Sequence, residues 1–338
     1  VEEKIYDFDN IEDIYPLSDI QLGMLYESLI PGTASAYYSQ TQQASFRDKD
    51  FNFDLFQRAL SLLVDKHPML RTGFDFKNPE KPVQVVYKKI PLEIGYHDLC
   101  GTEPASREAY IKSCLQRERE KCFNLSGADP LWRSLIFKTG EEEFYFAHIN
   151  HHAIHDGWSL ASFLTELNNT YLRLKEDPNF VPAKLKNTYK NFIIEQLIEK
   201  KNIKTIEYWK NELSDYKRFE IPGGESGSIG KTDKTAIKTE LGIQTLEKLT
   251  GKAKKYGISL RNIFFAAYVY TLYMVSYEND FVVGMVIHIR PEGEDGDKII
   301  GPFLNEVPVR VRIPAQLKWI DFIRSIEKKV TRLTDYNK

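Results

Sequence analysis

The hydrophobic period of this chain switches repeatedly between helix and strand, which restricts it to folds in which both share a core. Ser18 precedes apolar residues at Ile20, Met24, Leu25 and Leu29, so it is expected to cap a helix that stops at Pro31-Gly32. Phe53 to Val64 has Leu55, Phe56, Leu60, Leu63 and Val64 at helical spacing. Strand signals follow at Pro82 to Tyr87 and at Leu131 to Lys138, with a helix between them from about Ser106 to Lys121. Glu143 to Ile149 alternates and is rich in aromatics, which predicts a strand. Ser159 to Leu174 then returns to the helical period.

The prolines of Asp177-Pro178-Asn179-Phe180-Val181-Pro182 punctuate the chain. Beyond them the mixture begins again, with helices expected at 186–213, 244–256 and 259–277 and strands at Phe281 to Ile289 and Val307 to Ile313. Pro222 to Gly230 reads as an exposed loop. The expectation is two α/β lobes, 1–178 and 179–338, in keeping with a length of 338 residues. No repeat of solenoid length is present.

Forty-six basic residues balance 48 acidic ones, with no long block of either sign, so nucleic acid and anionic membrane are not expected partners. The longest apolar run, Ile263 to Val275, is too short for a spanning helix, and Val1-Glu2-Glu3 has no signal-peptide character. A cytoplasmic location is expected. Cys100, Cys114 and Cys122 are an odd set without a C-x-x-C pair, which fits reduced thiols.

Four of the seven histidines fall within eight residues: His148, His151, His152 and His155. On a helix they would share a face and a pair could chelate zinc. However, the run follows a strand signal, contains Asp156-Gly157 and precedes a helix, so it is a strand-to-turn-to-helix connection, and no metal is expected. Hydrogen-bonded core imidazoles are a second reading. The third is proton transfer near neutral pH, with Asp156 fixing the turn and Gly157 supplying a positive φ.

His151-His152-Ala-Ile-His-Asp156-Gly157-Trp158-Ser159 resembles the HHxxxDG motif of condensation domains of nonribosomal peptide synthetases, relatives of chloramphenicol acetyltransferase. Its companions stand in the same order. Tyr15 to Tyr26 (YPLSDIQLGMLY) resembles PLSxxQxGMLF, and His67 to Phe74 resembles HxxLRTxF. Tyr189 to Phe192 is a looser match to YxDF, with Asn191 in place of the acid, and Ile300 to Arg310 resembles IGxFxNxxPxR.

The resemblance implies two chloramphenicol-acetyltransferase-like lobes in a V-shaped pseudo-dimer, with a tunnel between them. The second lobe would lack the family's closing segment after Lys338. It implies amide formation between a donor acyl or peptidyl thioester and the amine of an acceptor aminoacyl thioester. Both would be carried on the 4'-phosphopantetheine of upstream and downstream peptidyl carrier domains, beside an adenylation domain, with no cofactor bound by this chain. By the same resemblance His152 is the catalytic candidate. An α-amine with a pKa of about 8 is already partly neutral at pH 7. The histidine would therefore take the proton as nitrogen becomes cationic or position the amine, and the sequence leaves both open. Gly157 N–H is a candidate oxyanion donor. His151 is read as structural, and so is Asp156, paired with Arg290 in preference to Arg71. His148 and His155 are expected to be solvated or packed. Trp158, Ser159 and Asn305 are tunnel-lining candidates. Gly23-Met24-Leu25 resembles the subgroup that accepts a D-configured donor. A coenzyme A-dependent acyltransferase and a non-catalytic domain that recruits a protein partner are the alternatives.

Overall fold

The computed structural model describes residues 7–30, 39–78, 80–92, 94–220, 238–314, 316 and 318–337. Ser18 opens the first long helix: its Oγ accepts Gln21 N–H at 3.3 Å and its own N–H donates to Gln21 Oε1 at 3.0 Å, a reciprocal capping box. The elements run β1 (Ile11–Pro16), α1 (Asp19–Leu29), β2 (Ser39–Arg47), α2 (Phe53–Lys66), β3 (Thr72–Asp75), β4 (Val83–Tyr87), β5 (Ile94–Asp98) and α3 (Pro104–Glu120). They continue with β6 (Trp132–Lys138), β7 (Glu143–His151), α4 (Gly157–Glu176), α5 (Tyr189–Glu199), α6 (Ile203–Leu213), α7 (Ile243–Tyr256), α8 (Leu260–Ser276), β8 (Asp280–His288), β9 (Leu304–Arg312) and α9 (Trp319–Leu333).

Two compact units emerge: Val1–Gln196 with Arg290–Leu304, and Leu197–Ile289 with Asn305–Lys338. This division does not fall at 178/179. α5 buries Tyr189, Phe192 and Ile193, and the first two pack on Phe303 at 5.2 and 4.9 Å, which ties the beginning of α5 and the 290–304 segment to the first unit.

In the first unit β1, β4 and β3 form one sheet in the order β1-β4-β3, and the other runs β2-β7-β6-β5. β7 is antiparallel to both β2 and β6, whereas β5 runs parallel to β6. Side chains alternate along a strand. Phe146 and His148 therefore meet α2 and α4, through Phe56 at 5.7 Å and Phe163 at 5.0 Å, while His151 on the opposite face meets Phe123.

In the second unit β8 and β9 pair, and Phe281, Val309, Val311, Phe322, Ile326 and Val330 anchor its core with α7, α8 and α9. Arg310 braces this unit, its guanidinium reaching Asp280 at 2.7 Å and Asp215 at 2.6 Å.

The expected helix 186–213 is two helices, because Asn202 Oδ1 accepts Lys204 N–H at 3.1 Å and starts α6 afresh. The Pro222–Gly230 loop and the Pro31-Gly32 stop lie outside the described residues. Among the described residues no single helix is long and apolar enough to cross a membrane.

Candidate active site

The pleat of β7 sends alternate histidines to opposite faces, and the turn after it decides the rest. His148 is fully buried between Phe163 and Trp132, with Nδ1 3.0 Å from Ser134 Oγ. Burial pushes its pKa down to about 3. His151 ends the strand, also buried, and its Nδ1 accepts Ala153 N–H at 3.1 Å. That leaves the proton on Nε2, 3.2 Å from Ser28 Oγ. Burial first, and His152 beside it, pull His151 down to about 4.

His152 sits in the turn and is only partly buried. Its Nδ1 lies 2.7 Å from the carbonyl oxygen of His155, and a carbonyl only accepts, so Nδ1 carries the hydrogen. Nε2 is then the basic nitrogen. His155, whose carbonyl sets this tautomer, has its own ring fully buried against Phe163 and His148 at 5.7 and 5.9 Å. Neither of its ring nitrogens has a hydrogen-bond partner. Burial, then the neighbouring His148, His67 and His152, hold its pKa well below 6.5. Thus His148 and His155 are both packed, and of the four clustered histidines only His152 keeps a share of solvent. Among the described residues no three His, Cys, Asp or Glu side chains could hold a metal ion.

Asp156 caps α4, with Oδ1 accepting Ser159 N–H at 2.6 Å. Its Oδ2 accepts Phe303 N–H at 3.0 Å, and Arg290 Nη2 lies 3.2 Å from Oδ1. Both partners of this ion pair are almost entirely buried. Arg290 also donates to the carbonyls of Gly296 and Ile299 at 3.0 and 2.6 Å and stacks on Phe303 at 4.2 Å. Arg71 is not brought to Asp156: its guanidinium bonds Glu12 at 2.6 Å and the backbone carbonyls of Val64 and Tyr87.

Two expectations need correction, those for Gly157 and Ser159. Gly157 has no positive φ; it is the first residue of α4, and a Cβ there would meet open space. The turn closes through its own hydrogen bonds instead, Ile154 N–H donating to His151 O at 3.2 Å. Ser159 lines nothing open, being fully buried with its hydroxyl donating to Gly301 O at 2.6 Å and accepting from Arg290 Nη2 at 2.5 Å. Asn305 belongs to the second unit, where its amide donates to Asn337 O at 2.9 Å. Trp158 is 54% exposed, with Nε1–H donating to Asp297 O at 3.1 Å.

The sequence reading missed Gln21, Ser28 and the part Tyr189 plays. Gln21 Nε2 donates to Ala153 O at 3.0 Å, and the Tyr189 hydroxyl donates toward Ser18 Oγ and Pro302 O at 3.0 and 3.1 Å. The Ser18-x-x-Gln21 spacing signals the cap, but nothing local signals the contact 132 residues away. Asn191, the departure from YxDF, accepts Thr188 N–H at 2.9 Å, a turn contact that an aspartate would serve equally well.

The chain is 31% identical over 335 residues to a plipastatin synthase subunit of Bacillus subtilis (strain 168), an alignment covering 95% of this chain and 12% of that protein. It is 27% identical to gramicidin S synthase 2 of Brevibacillus brevis, covering 95% of this chain and 7% of that one. The chain thus spans a small part of each relative. Its fold matches the first condensation domain of the calcium-dependent antibiotic synthetase in complex with a substrate analogue, at a TM-score of 0.72 and 18% identity, covering 97% of this chain and 76% of that one. It also matches the cyclization-docking bidomain of EpoB from Sorangium cellulosum, at a TM-score of 0.73 and 17% identity, covering 96% and 65%. With the condensation-domain family model matching residues 11–338, over elements that place the HHxxxDG segment between β7 and α4, the chain belongs to the condensation-domain family.

Proposed function

We propose that the chain forms peptide bonds in nonribosomal peptide synthesis, with His152 at the reacting nitrogen. The observation that carries this reading is the 2.7 Å contact between His152 Nδ1 and His155 O, which leaves Nε2 as a proton acceptor on a partly exposed ring among buried, neutral histidines. The acceptor amine, held as an aminoacyl thioester on one carrier protein, attacks the thioester carbonyl of a donor acyl or peptidyl group on another. The C–N bond forms, the C–S bond breaks, and the donor's phosphopantetheine thiol leaves. Nitrogen becomes cationic in the attack, and Nε2 of His152 takes its proton, which the departing thiolate can then receive. Gly157 N–H, at the start of α4, is an oxyanion donor in this reading, since the first N–H groups of a helix have no intrahelical partner. The substrates' arms belong to carrier domains upstream and downstream, next to an adenylation domain in the same synthetase.

Replacing His152 by alanine tests the assignment. The side chain is at the turn surface, so the fold should survive, with an unchanged circular dichroism spectrum. Product on the acceptor carrier, followed by mass spectrometry, should fall at least a hundredfold, on the scale of lost acid–base catalysis. A folded variant with near-wild-type turnover refutes the role.

A further inference from the structure

The turn that carries His152 is gripped from outside the motif by one helix. Gln21 and Ser28 are seven residues apart on α1, two helical turns, and so lie on one face. Gln21 Nε2 donates to Ala153 O at 3.0 Å, and Ser28 Oγ stands 3.2 Å from His151 Nε2. The orientation of the Gln21 amide follows from its surroundings: Oε1 accepts Ser18 N–H at 3.0 Å, so the nitrogen faces the turn. Gln21 is fully buried, and Gln84, also fully buried, donates to Gln21 Oε1 at 3.2 Å and to Pro16 O at 2.9 Å. Ser28 in turn donates to Met24 O at 2.7 Å, leaving its oxygen to accept from His151. The peptide units around Ala153 are consequently fixed on both sides, the N–H by His151 Nδ1 and the C=O by Gln21.

We propose that Gln21 and Ser28 are positioning residues that act through this turn, α1 setting the place of His155 O relative to His152 and hence the tautomer that leaves Nε2 basic. The catalytic meaning of the clamp rests on the function proposed for His152; its effect on the turn does not. Without Gln21 the Ala153 carbonyl is a buried acceptor with no donor, and the turn must rotate toward water or another group. His155 O, two residues on, moves with it.

The test compares Gln21→Met with Gln84→Met, which removes a buried amide bonded to the Gln21 side chain but not to the turn and leaves Gln21 oriented by Ser18 N–H. The first readout is independent of turnover: long-range ¹H–¹⁵N spectra of the histidine-labelled chain, with the His152 signals identified by their loss in His152→Ala. In the neutral ring, wild type and Gln84→Met should show the Nδ1–H tautomer alone, while Gln21→Met should show a mixture of tautomers. The second is turnover with a D-alanyl donor and an L-alanyl acceptor on carrier proteins. It should fall ten- to a hundredfold in Gln21→Met with KM for the acceptor carrier changed less than twofold, and less than threefold in Gln84→Met. Should Gln21→Met fail to fold, Ser28→Ala decides alone, with a tautomer mixture and a three- to tenfold loss. A wild-type tautomer pattern in the folded Gln21 or Ser28 variant, or equal losses of turnover in Gln21→Met and Gln84→Met, overturns the proposal. Full turnover by His152→Ala would defeat the catalytic reading instead, and the tautomer spectra would still decide the clamp.

Discussion

Both carboxylate oxygens of Asp156 are engaged by the fold, one by the α4 cap and Arg290, the other by Phe303 N–H. Asp156→Ala should leave a buried guanidinium uncompensated, a loss of about 3–5 kcal/mol. For a unit the size of the first one, which holds both partners, that lowers the melting temperature by roughly 6–20 °C. Scanning calorimetry checks it, with Asp156→Asn, which keeps a cap and an acceptor, expected between the two. Activity lost at an unchanged melting temperature would instead make Asp156 a chemical participant. A carboxylate just before a helix is legible in a sequence, because capping is local. Arg290 could be named as a partner from its place at the end of a strand, but not located. The burial of Ser159 was hidden, since its hydroxyl serves Gly301, 142 residues away.

At the scale of elements, the helices that could be read were those whose periodicity faces a core, such as α2 and α4. β2, SQTQQASFR, has almost no apolar alternation because it is an edge strand with four consecutive exposed residues, and it escaped the sequence reading for that reason. α9 escaped although its apolar residues Phe322, Ile323, Ile326, Val330 and Leu333 hold the helical spacing well. α1 carries the Gly-Met-Leu triplet that resembles the D-donor subgroup, and there Met24 and Leu25 point inward while Gly23 is exposed with open space where a Cβ would stand. The two apolar residues thus pack the helix, and of the triplet only Gly23 is exposed. What the resemblance of this triplet implies is a preference for D-terminated over L-terminated donors, expected at about ten- to a hundredfold, the scale of apolar packing differences of about 1–3 kcal/mol. Competition between the two on one carrier measures this, and equal rates or an L preference reject it while leaving the family assignment intact.

For the molecule as a whole, three buried neutral histidines make stability steeply dependent on pH. His148 and His151 titrate at about 3 and 4 in the fold, and His155 well below its ordinary value, against about 6.5 in the unfolded chain. Between pH 6.5 and 4 the unfolded chain therefore takes up protons that the fold refuses, so stability is fully present above 6.5 and falls as the pH drops. His148 and His151 each contribute about 1.4 kcal/mol per pH unit, so about 4 kcal/mol is lost by pH 5 from these two, and His155 adds to the loss in the same direction. That is a large part of the whole stability of many domains. Denaturant titrations at pH 7.5 and 5.0 should show this loss, reduced by about 2 kcal/mol in His148→Phe. A pH-independent midpoint would contradict it. The two-lobe organisation was legible from the repeated mixture of periods, but not the return of Arg290–Leu304 to the first unit, which depends on contacts far apart in sequence. That return orders events at the ribosome. Arg290 follows Asp156 by 134 residues, so at roughly 5–20 residues per second the nascent first unit waits roughly 7–27 s with the Asp156 carboxylate unpaired. Throughout that interval the α4 cap and the histidine turn before it lack the Arg290–Leu304 segment, whose Arg290 side chain and Phe303 N–H hold the Asp156 carboxylate in the finished unit.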